Sequence, residues 1–340
     1  MLIGAPNWMV VNVIILDLQK EFKLRTLAQA KFILGQEIKN NRNKNKLQIS
    51  QSACILRMVQ KFNQSNSKAV YNPTVQGQDL VKSDIKDPRM DKRPFRSLVG
   101  SLLYVGNSTT LDITFAVCKL SRHLENPTEE HWKAAIRVLR YLKTTKSRGI
   151  CYRSGPDIEL SAYSDADWAT SKDNRRSTSG IMVMINGSPT IFKSRIQRVV
   201  ALSTAEAEYI ALSLCIQEVI WIKNLLKELG ADINGQTVVY EDNQSAIAIA
   251  KNDGYQSRAK HIDIRHHFIR EQVKMGNIHL KYIETKEQLA DYLTKPLPTM
   301  QFQFLLKNSN IGDYKSRGSV ITYPERYLDW MATQPDLIGR

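Results

Sequence analysis

The sequence has few cysteines and no pairing among them. Cys54, Cys118, Cys151 and Cys215 stand far apart and form no CxxC pair, which leaves neither a zinc-site pattern nor a disulfide framework. A reducing intracellular compartment, cytoplasm or nucleus, is the expectation. The start of the chain has no basic stretch of the kind that opens a signal peptide. Its first apolar run is interrupted by Asn12 and Asp17, so neither a signal peptide nor a membrane span is expected. Repeats and low-complexity tracts are absent too. Acidic residues are the minority charge, 33 Asp and Glu against 48 Lys and Arg, a net charge of +15. That excess favours a polyanionic partner, with nucleic acid ahead of a membrane surface.

What is present is enough to fold. A hydrophobic content of 42% in 340 residues supports two or three domains with real cores. Periodicity predicts helices over 8–23, 52–62, 95–104, 111–124 and 129–145, and strands over 31–38 and 46–50. Residues 63–92 lack apolar periodicity and read as a linker or long loop. In the helix at 129–145, Lys133, Arg137 and Arg140 form a basic stripe that is either a solvated face or a surface for phosphates. Arg175 and Arg176 follow a turn-like SKDN and are further candidates for phosphate contact.

From 157 onward the pattern changes. Strand-like runs at 157–164, 180–186 and 189–194 lead into a long helix from Ser203 to Leu229, closed by Gly230. A strand (237–241), helices (243–251 and 263–275), a strand (278–284) and a last helix from 286 follow. This order predicts an α/β (α+β) fold, one mixed sheet flanked by helices. Asp165 closes the first strand and Asp242 the fourth, and those strands can lie side by side. Two carboxylates brought together repel unless a cation joins them. On the long helix the apolar stripe Leu212, Cys215, Val219, Ile222, Leu226, Leu229 extends back to Glu208. Glu206 falls about 200° away and is expected to face water. Thr285 and Gln288 suggest a capping box that puts Asp291 in the second turn of the last helix. Such an all-oxygen set suits Mg²⁺ or Mn²⁺, and two such ions can activate a water on a phosphodiester.

Nine segments carry a family resemblance: FILGQEI, PFRSLVGSLLYV, EEHWKAAIRVLRYLK, YSDADWA, RRSTSG, ALSTAEAEYIALS, YEDNQSAIAIAKN, KHIDIRHHFIRE and QLADYLTKPLP. Through them residues 1–312 resemble the C-terminal part of the Pol polyprotein of copia-type LTR retrotransposons. The resemblance implies a reverse transcriptase palm remnant (1–50), a mainly helical thumb/connection-like region (51–155), an RNase H-like domain with a mixed five-stranded sheet (156–312) and an irregular tail (313–340). It implies an endonuclease that cleaves the RNA strand of RNA–DNA hybrids with two Mg²⁺ (or Mn²⁺) ions. Its catalytic and metal-holding acids would be Asp165 of SDAD, Glu208 of AEY, Asp242 of EDNQ and Asp291 of LAD.

Two departures from that pattern stand out. The family's Tyr-Val-Asp-Asp polymerase motif, which precedes a run much like MLI, does not occur, so reverse transcriptase activity is expected to be absent. Many cellular RNases H carry a His in a loop before the last Asp, and Tyr282–Asp291 holds none. His261, Asp263, His266 and His267 include an i,i+4 pair, but the segment matches the family's helix entry and is not assigned a zinc ion. The alternatives are a non-catalytic nucleic-acid-binding retrotransposon relic, with apolar residues around Phe32, Ile33 and Ile38 exposed, and a pure interaction module. Oligomeric state is not legible.

Overall fold

Capping side chains and turn residues mark out the elements of the computed structural model, which describes residues 3, 5, 7–26, 29–155, 157–231, 233, 235–251 and 260–313. Helix α1 (Trp8–Glu21) starts at Asn7, whose side chain accepts the Val10 N–H at 3.1 Å, and none of its residues is buried. Strands β1 (Phe32–Ile33) and β2 (Gln36–Asn41) turn at Leu34 and Gly35, with φ of 46° and 70°. The predicted strand over 31–38 is therefore a hairpin. A two-residue turn with positive φ at both positions matches strand twist, and glycine takes the second at no steric cost. Strand β3 (Lys46–Ser50) and helices α2 (Ser52–Lys61), α3 (Phe95–Gly106), α4 (Thr114–Leu120) and α5 (Glu129–Thr144) follow.

Strand β4 (Arg148–Arg153) was not expected from the sequence. It pairs with β3 and with β10 (Ile311–Asp313), so the first sheet runs β1-β2-β3-β4-β10, antiparallel throughout. The second sheet takes β5 (Leu160–Asp167), β6 (Thr178–Ile185) and β7 (Ser188–Ile196), then β8 (Thr237–Glu241) and β9 (Ile278–Tyr282). Its order is β7-β6-β5-β8-β9, with β5–β6 and β6–β7 antiparallel and β5–β8 and β8–β9 parallel. This is the predicted mixed five-stranded sheet, with its first and fourth strands adjacent. Helices α6 (Thr204–Glu228), α7 (Gln244–Lys251) and α8 (Lys260–Lys274) cover one face, and α9 (Thr299–Asn308) precedes β10.

Strand β6 explains how the two sheets are joined. Its alternate residues Ile181 and Val183 pack with α6, whereas Met182 and Met184 enter the core of α2–α5 and α9. Both faces are buried, hence the unbroken apolar run IMVM. Tyr292, Leu293, Leu297 and Phe302 belong to that same core, which seats the 289–297 segment across the far face of the second sheet.

The last helix differs from expectation. Residues 285–293 form two short 3-10 turns, Thr285–Glu287 and Asp291–Leu293, and the helix begins only at Thr299. Gln288 has an extended backbone, and its side chain donates to the Ser164 carbonyl at 2.9 Å instead of capping a helix. Pro296 and Pro298 then bar a helix from running through. The predicted tail lies outside the described residues apart from Asp313.

Candidate active site

Parallel pairing of β5 and β8 brings the first two acids together. Ser161, Ala162 and Tyr163 stand opposite Val238, Val239 and Tyr240. Two steps further this register puts Asp165 beside Asp242, and the intervening step is visible in the Ser164 hydroxyl, which donates to Glu241 Oε2 at 2.7 Å. Glu208 comes from the second turn of α6. Ligand oxygens of Asp165, Glu208 and Asp242 all lie within 4.8 Å of one another. Asp165 is 1% exposed and Glu208 7%. Among the described residues Glu208 Oε2 is buried and accepts no hydrogen bond. Oxygen donors, burial and an unsatisfied carboxylate oxygen together fit a hard divalent cation.

Asp291 stands one step aside, 3% exposed and outside that triplet. Lys295 links it to the others: its Nζ lies 2.9 Å from Asp291 Oδ1 and 3.8 Å from Asp165 Oδ1. The Thr294 hydroxyl donates to Asp165 Oδ2. The 290–294 turn can lie this close because residue 180, paired with Asp165 across the strands, is glycine. A Cβ there would fall 2.6 Å from Thr294 Cγ2 and 2.9 Å from the Ala290 carbonyl oxygen.

Crowded carboxylates in a buried place resist ionisation. Burial, then the charges of Glu241, Asp165 and Asp242, drives Glu208 well above the usual carboxylate range. Burial and then Asp165 push Asp291 up to about 8, against the pull of Lys295. Asp242 is raised by burial, with a hydrogen bond from Thr285 opposing. Burial works against the charge of Lys295, but Asp165 and Asp291 outweigh it and hold its pKa above normal.

Sequence reasoning missed two members of this cluster. Glu241 is wholly buried below it, accepting from Ser164 and from the Asn243 N–H, and burial drives its pKa well up. Alternation within TVVYE, which buries Thr237, Val239 and Glu241 together, was the available signal. Lys295 was also missed, although DYLTK spaces it four residues from Asp291.

Glu206 is partly open to water, and it also caps its own helix. It is half-buried, and its Oε2 accepts the Leu202 N–H at 2.9 Å while Ser203 Oγ accepts the Glu206 N–H at 3.2 Å. These two bonds cap the start of α6. Ser213, two turns further along the same side, is buried and accepts from Arg265 on α8. Helix α8 packs there, so α6 is buried all round from Ala207 to Ser213.

The basic candidates divide. Arg137 Nε donates to the Asn72 carbonyl at 3.1 Å and Arg140 Nε to Gln64 Oε1 at 2.8 Å, so both hold the 63–75 segment against α5. Lys133 keeps an exposed side chain, 3.9 Å from Glu129. Arg175 is exposed and Arg176 half-buried in a turn closed by Arg175 N–H to Ser171 O at 2.7 Å. That turn leaves β5 at the end bearing Asp165. Beside Asp167 a cavity of about 210 Å³ opens between α4 and this turn, lined by Lys119, Arg122, His123 and Lys172 and by the acids Asp79 and Asp173, with Lys172 paired to Asp79 at 2.5 Å. His266 is buried and stacks on Tyr209 at 4.9 Å. The side chains of His261 and Asp263 lie outside the described residues.

No family model matches the chain. A retrovirus-related Pol polyprotein from transposon TNT 1-94 of Nicotiana tabacum is 42% identical over 292 residues, which cover 84% of this chain and 22% of that protein. A transposon Ty5-1 protein of Saccharomyces cerevisiae is 30% identical over 221 residues, 64% of this chain and 71% of that protein. Among solved structures, LC11-RNase H1 in complex with RNA/DNA hybrid aligns with a TM-score of 0.31 and 13% identity, over 40% of this chain and 94% of that one. The chain spans about a fifth of the length of the plant transposon relatives, 22% and 19%. By these transposon relatives the chain belongs to the family of retrovirus-related Pol polyproteins of copia-type transposons.

Proposed function

We propose that this chain carries an RNase H-type centre that cleaves the RNA strand of RNA–DNA hybrids. The observation that carries the reading is the convergence of Asp165, Glu208 and Asp242, from a strand, a helix and a strand end, on one point within 4.8 Å. A fold gains nothing from gathering buried like charges unless a cation completes them. Asp165, Glu208 and Asp242 would hold one divalent ion, Mg²⁺ or Mn²⁺, and Asp165 with Asp291 a second. Such ions supply an activated water and neutralise the leaving oxygen of a phosphodiester.

The remaining work belongs to the chain's own groups. The Thr294 hydroxyl on Oδ2 fixes the rotation of the Asp165 carboxylate. Gln288 ties the Asp291 turn to β5 through the Ser164 carbonyl. Glu241, whose ionisation burial strongly disfavours, accepts the Ser164 hydroxyl beneath the acids. Arg175, Arg176 and Lys133, with Lys119 and Arg122 of the cavity beside Asp167, would take the phosphates of the duplex. Recognition would rest on hybrid shape and the 2′-OH instead of base sequence.

The test is a substrate panel of RNA–DNA hybrid, double-stranded DNA and double-stranded RNA, each with Mg²⁺ and with Mn²⁺. The reading expects cuts in the RNA of the hybrid and none in the DNA duplex. Folded protein that binds the hybrid without cutting it would establish the non-catalytic alternative.

A further inference from the structure

Lys295 is a cation built into the acid cluster. Its backbone N–H and that of Thr294 both donate to the Asp291 carbonyl at 3.1 Å, so the turn fixes where its side chain begins. Its ammonium reaches Asp291 at 2.9 Å and Asp165 at 3.8 Å. The turn is seated directly on the bare backbone of Gly180. The cluster therefore has two unlike sides. Toward Asp291 a positive charge is already in place. Toward Glu208 and Asp242 no cationic side chain makes an ion pair among the described residues, although the charge of Lys295 is felt there, and Glu208 Oε2 lacks a hydrogen bond.

We infer that Lys295 is a positioning residue, the resident counter-charge of the Asp165–Asp291 side, and that it must yield this place to a divalent ion. The inference rests on the nuclease reading for what the site binds. The two ions are then taken up unequally. The first would enter between Asp165, Glu208 and Asp242, where the ammonium comes no nearer than 3.8 Å to Asp165 and holds no hydrogen bond to it. The second displaces a charge held at hydrogen-bonding distance from Asp291, and it binds more weakly for that reason. An ammonium is a compact point charge on a flexible stem, 30% exposed here, so it can swing toward solvent without moving the backbone. Other charges reaching it are Asp242 and Asp167, both acidic, which favour its staying while the site holds no ion.

The experiment compares the full chain with Lys295→Met and Lys295→Arg. In EDTA, thermal unfolding of Lys295→Met should come at lower temperature than wild type, with Lys295→Arg close to wild type because the charge is kept. Calorimetric titration with Mn²⁺ should resolve a tight and a weak site in wild type. In Lys295→Met the weak site should tighten about tenfold, within the coupling expected of groups that touch, with the tight site unchanged. Circular dichroism establishes that each variant is folded, and Lys295→Arg serves if Lys295→Met is not, since it should leave the two affinities unequal. Lys295→Met melting at or above wild type in EDTA, or a weak site that does not tighten, overturns the inference. Failure of the nuclease reading looks different: neither wild type nor Lys295→Met takes up Mn²⁺, and both proposals fall together. Mn²⁺ uptake by Lys295→Met alone would also overturn the inference, since the tight site should fill in wild type.

Discussion

Exchanging Glu208 for glutamine keeps the shape of a buried side chain and removes one negative charge from a place that already holds Asp165, Asp242 and Glu241. Glu208 is 7% exposed and its Oε2 has no hydrogen-bond donor among the described residues, so the exchange breaks no bond at that oxygen in the ion-free protein. Its carboxyl is raised well above the usual range by burial and by those neighbours, so ionised Glu208 is a burden on the ion-free fold. In EDTA at pH 8, Glu208→Gln should therefore unfold at or above the wild-type denaturant midpoint. Activity should move the other way. Loss of one charged partner from a preorganised site costs about 10²-fold or more in rate. Two residues earlier, Glu206 lies on a different face and caps the helix. Glutamine keeps an acceptor for the Leu202 N–H, so Glu206→Gln should change stability by less than about 0.5 kcal/mol. Glu206→Ala loses the cap and should cost about 0.5–2 kcal/mol. Both should cleave hybrid at near wild-type rates. Urea titration paired with hybrid cleavage reads all three variants. An inactive Glu206→Gln, or an active Glu208→Gln, would refute the geometry inferred for the site.

Three further outcomes follow from the same structure. Gly180→Ala puts a methyl group 2.6 Å from Thr294 Cγ2; overpacking should cost about 1–3 kcal/mol in urea unfolding and weaken Mn²⁺ uptake, and an unchanged midpoint would contradict the close seating of the turn. Asp291, raised to about 8, and Asp167, raised to about 6, bind protons more tightly folded than unfolded, so in EDTA stability should fall as pH rises from about 4 through 8. Mn²⁺ should restore it most at the upper end, and a melting temperature that is flat or rises over this window refutes the assignment. Replacing Arg175 and Arg176 with alanine should flatten the log–log salt dependence of hybrid binding by about 0.7–0.9 for each phosphate they neutralise, whereas Arg140→Ala should lower stability and leave that slope alone.

Much of the second sheet was legible because its signals are local. The apolar run of β6 and the alternation in β8 predict strands, and the long stripe of α6 leads back to Glu208. What escaped the sequence depends on partners distant in the chain. Strand β4 is built from RGICYR, a weak local pattern, and exists because β3 on one side and β10 on the other complete its hydrogen bonds. Thr285 and Gln288 have the spacing of a capping box, yet Gln288 is drawn to Ser164 on β5, and the segment becomes two short turns. Arg137 and Arg140 form a basic stripe in sequence, but the 63–75 segment they secure carries no periodic pattern to announce it. Asp165, Asp242 and Glu208 stood out by their places at strand ends and on a helix stripe, whereas the four-acid set with Asp291 rested on the family resemblance. Lys295 did not stand out, because a lysine beside an acid in a turn ordinarily signals a solvated surface, and here only the glycine at position 180 lets that turn come down onto Asp165.

The most direct measurement is cleavage of an end-labelled RNA–DNA hybrid by the full chain in Mg²⁺ and in Mn²⁺, run beside Asp165→Asn. Asp165 touches both proposed ion positions, so its exchange should abolish cutting while circular dichroism shows the fold retained. Wild-type protein should cut the RNA strand only with a divalent ion present and stop on addition of EDTA. A folded wild type that leaves the hybrid intact across both metal titrations, or an Asp165→Asn variant that cuts at the wild-type rate, would contradict the assignment of the buried carboxylates to nuclease chemistry.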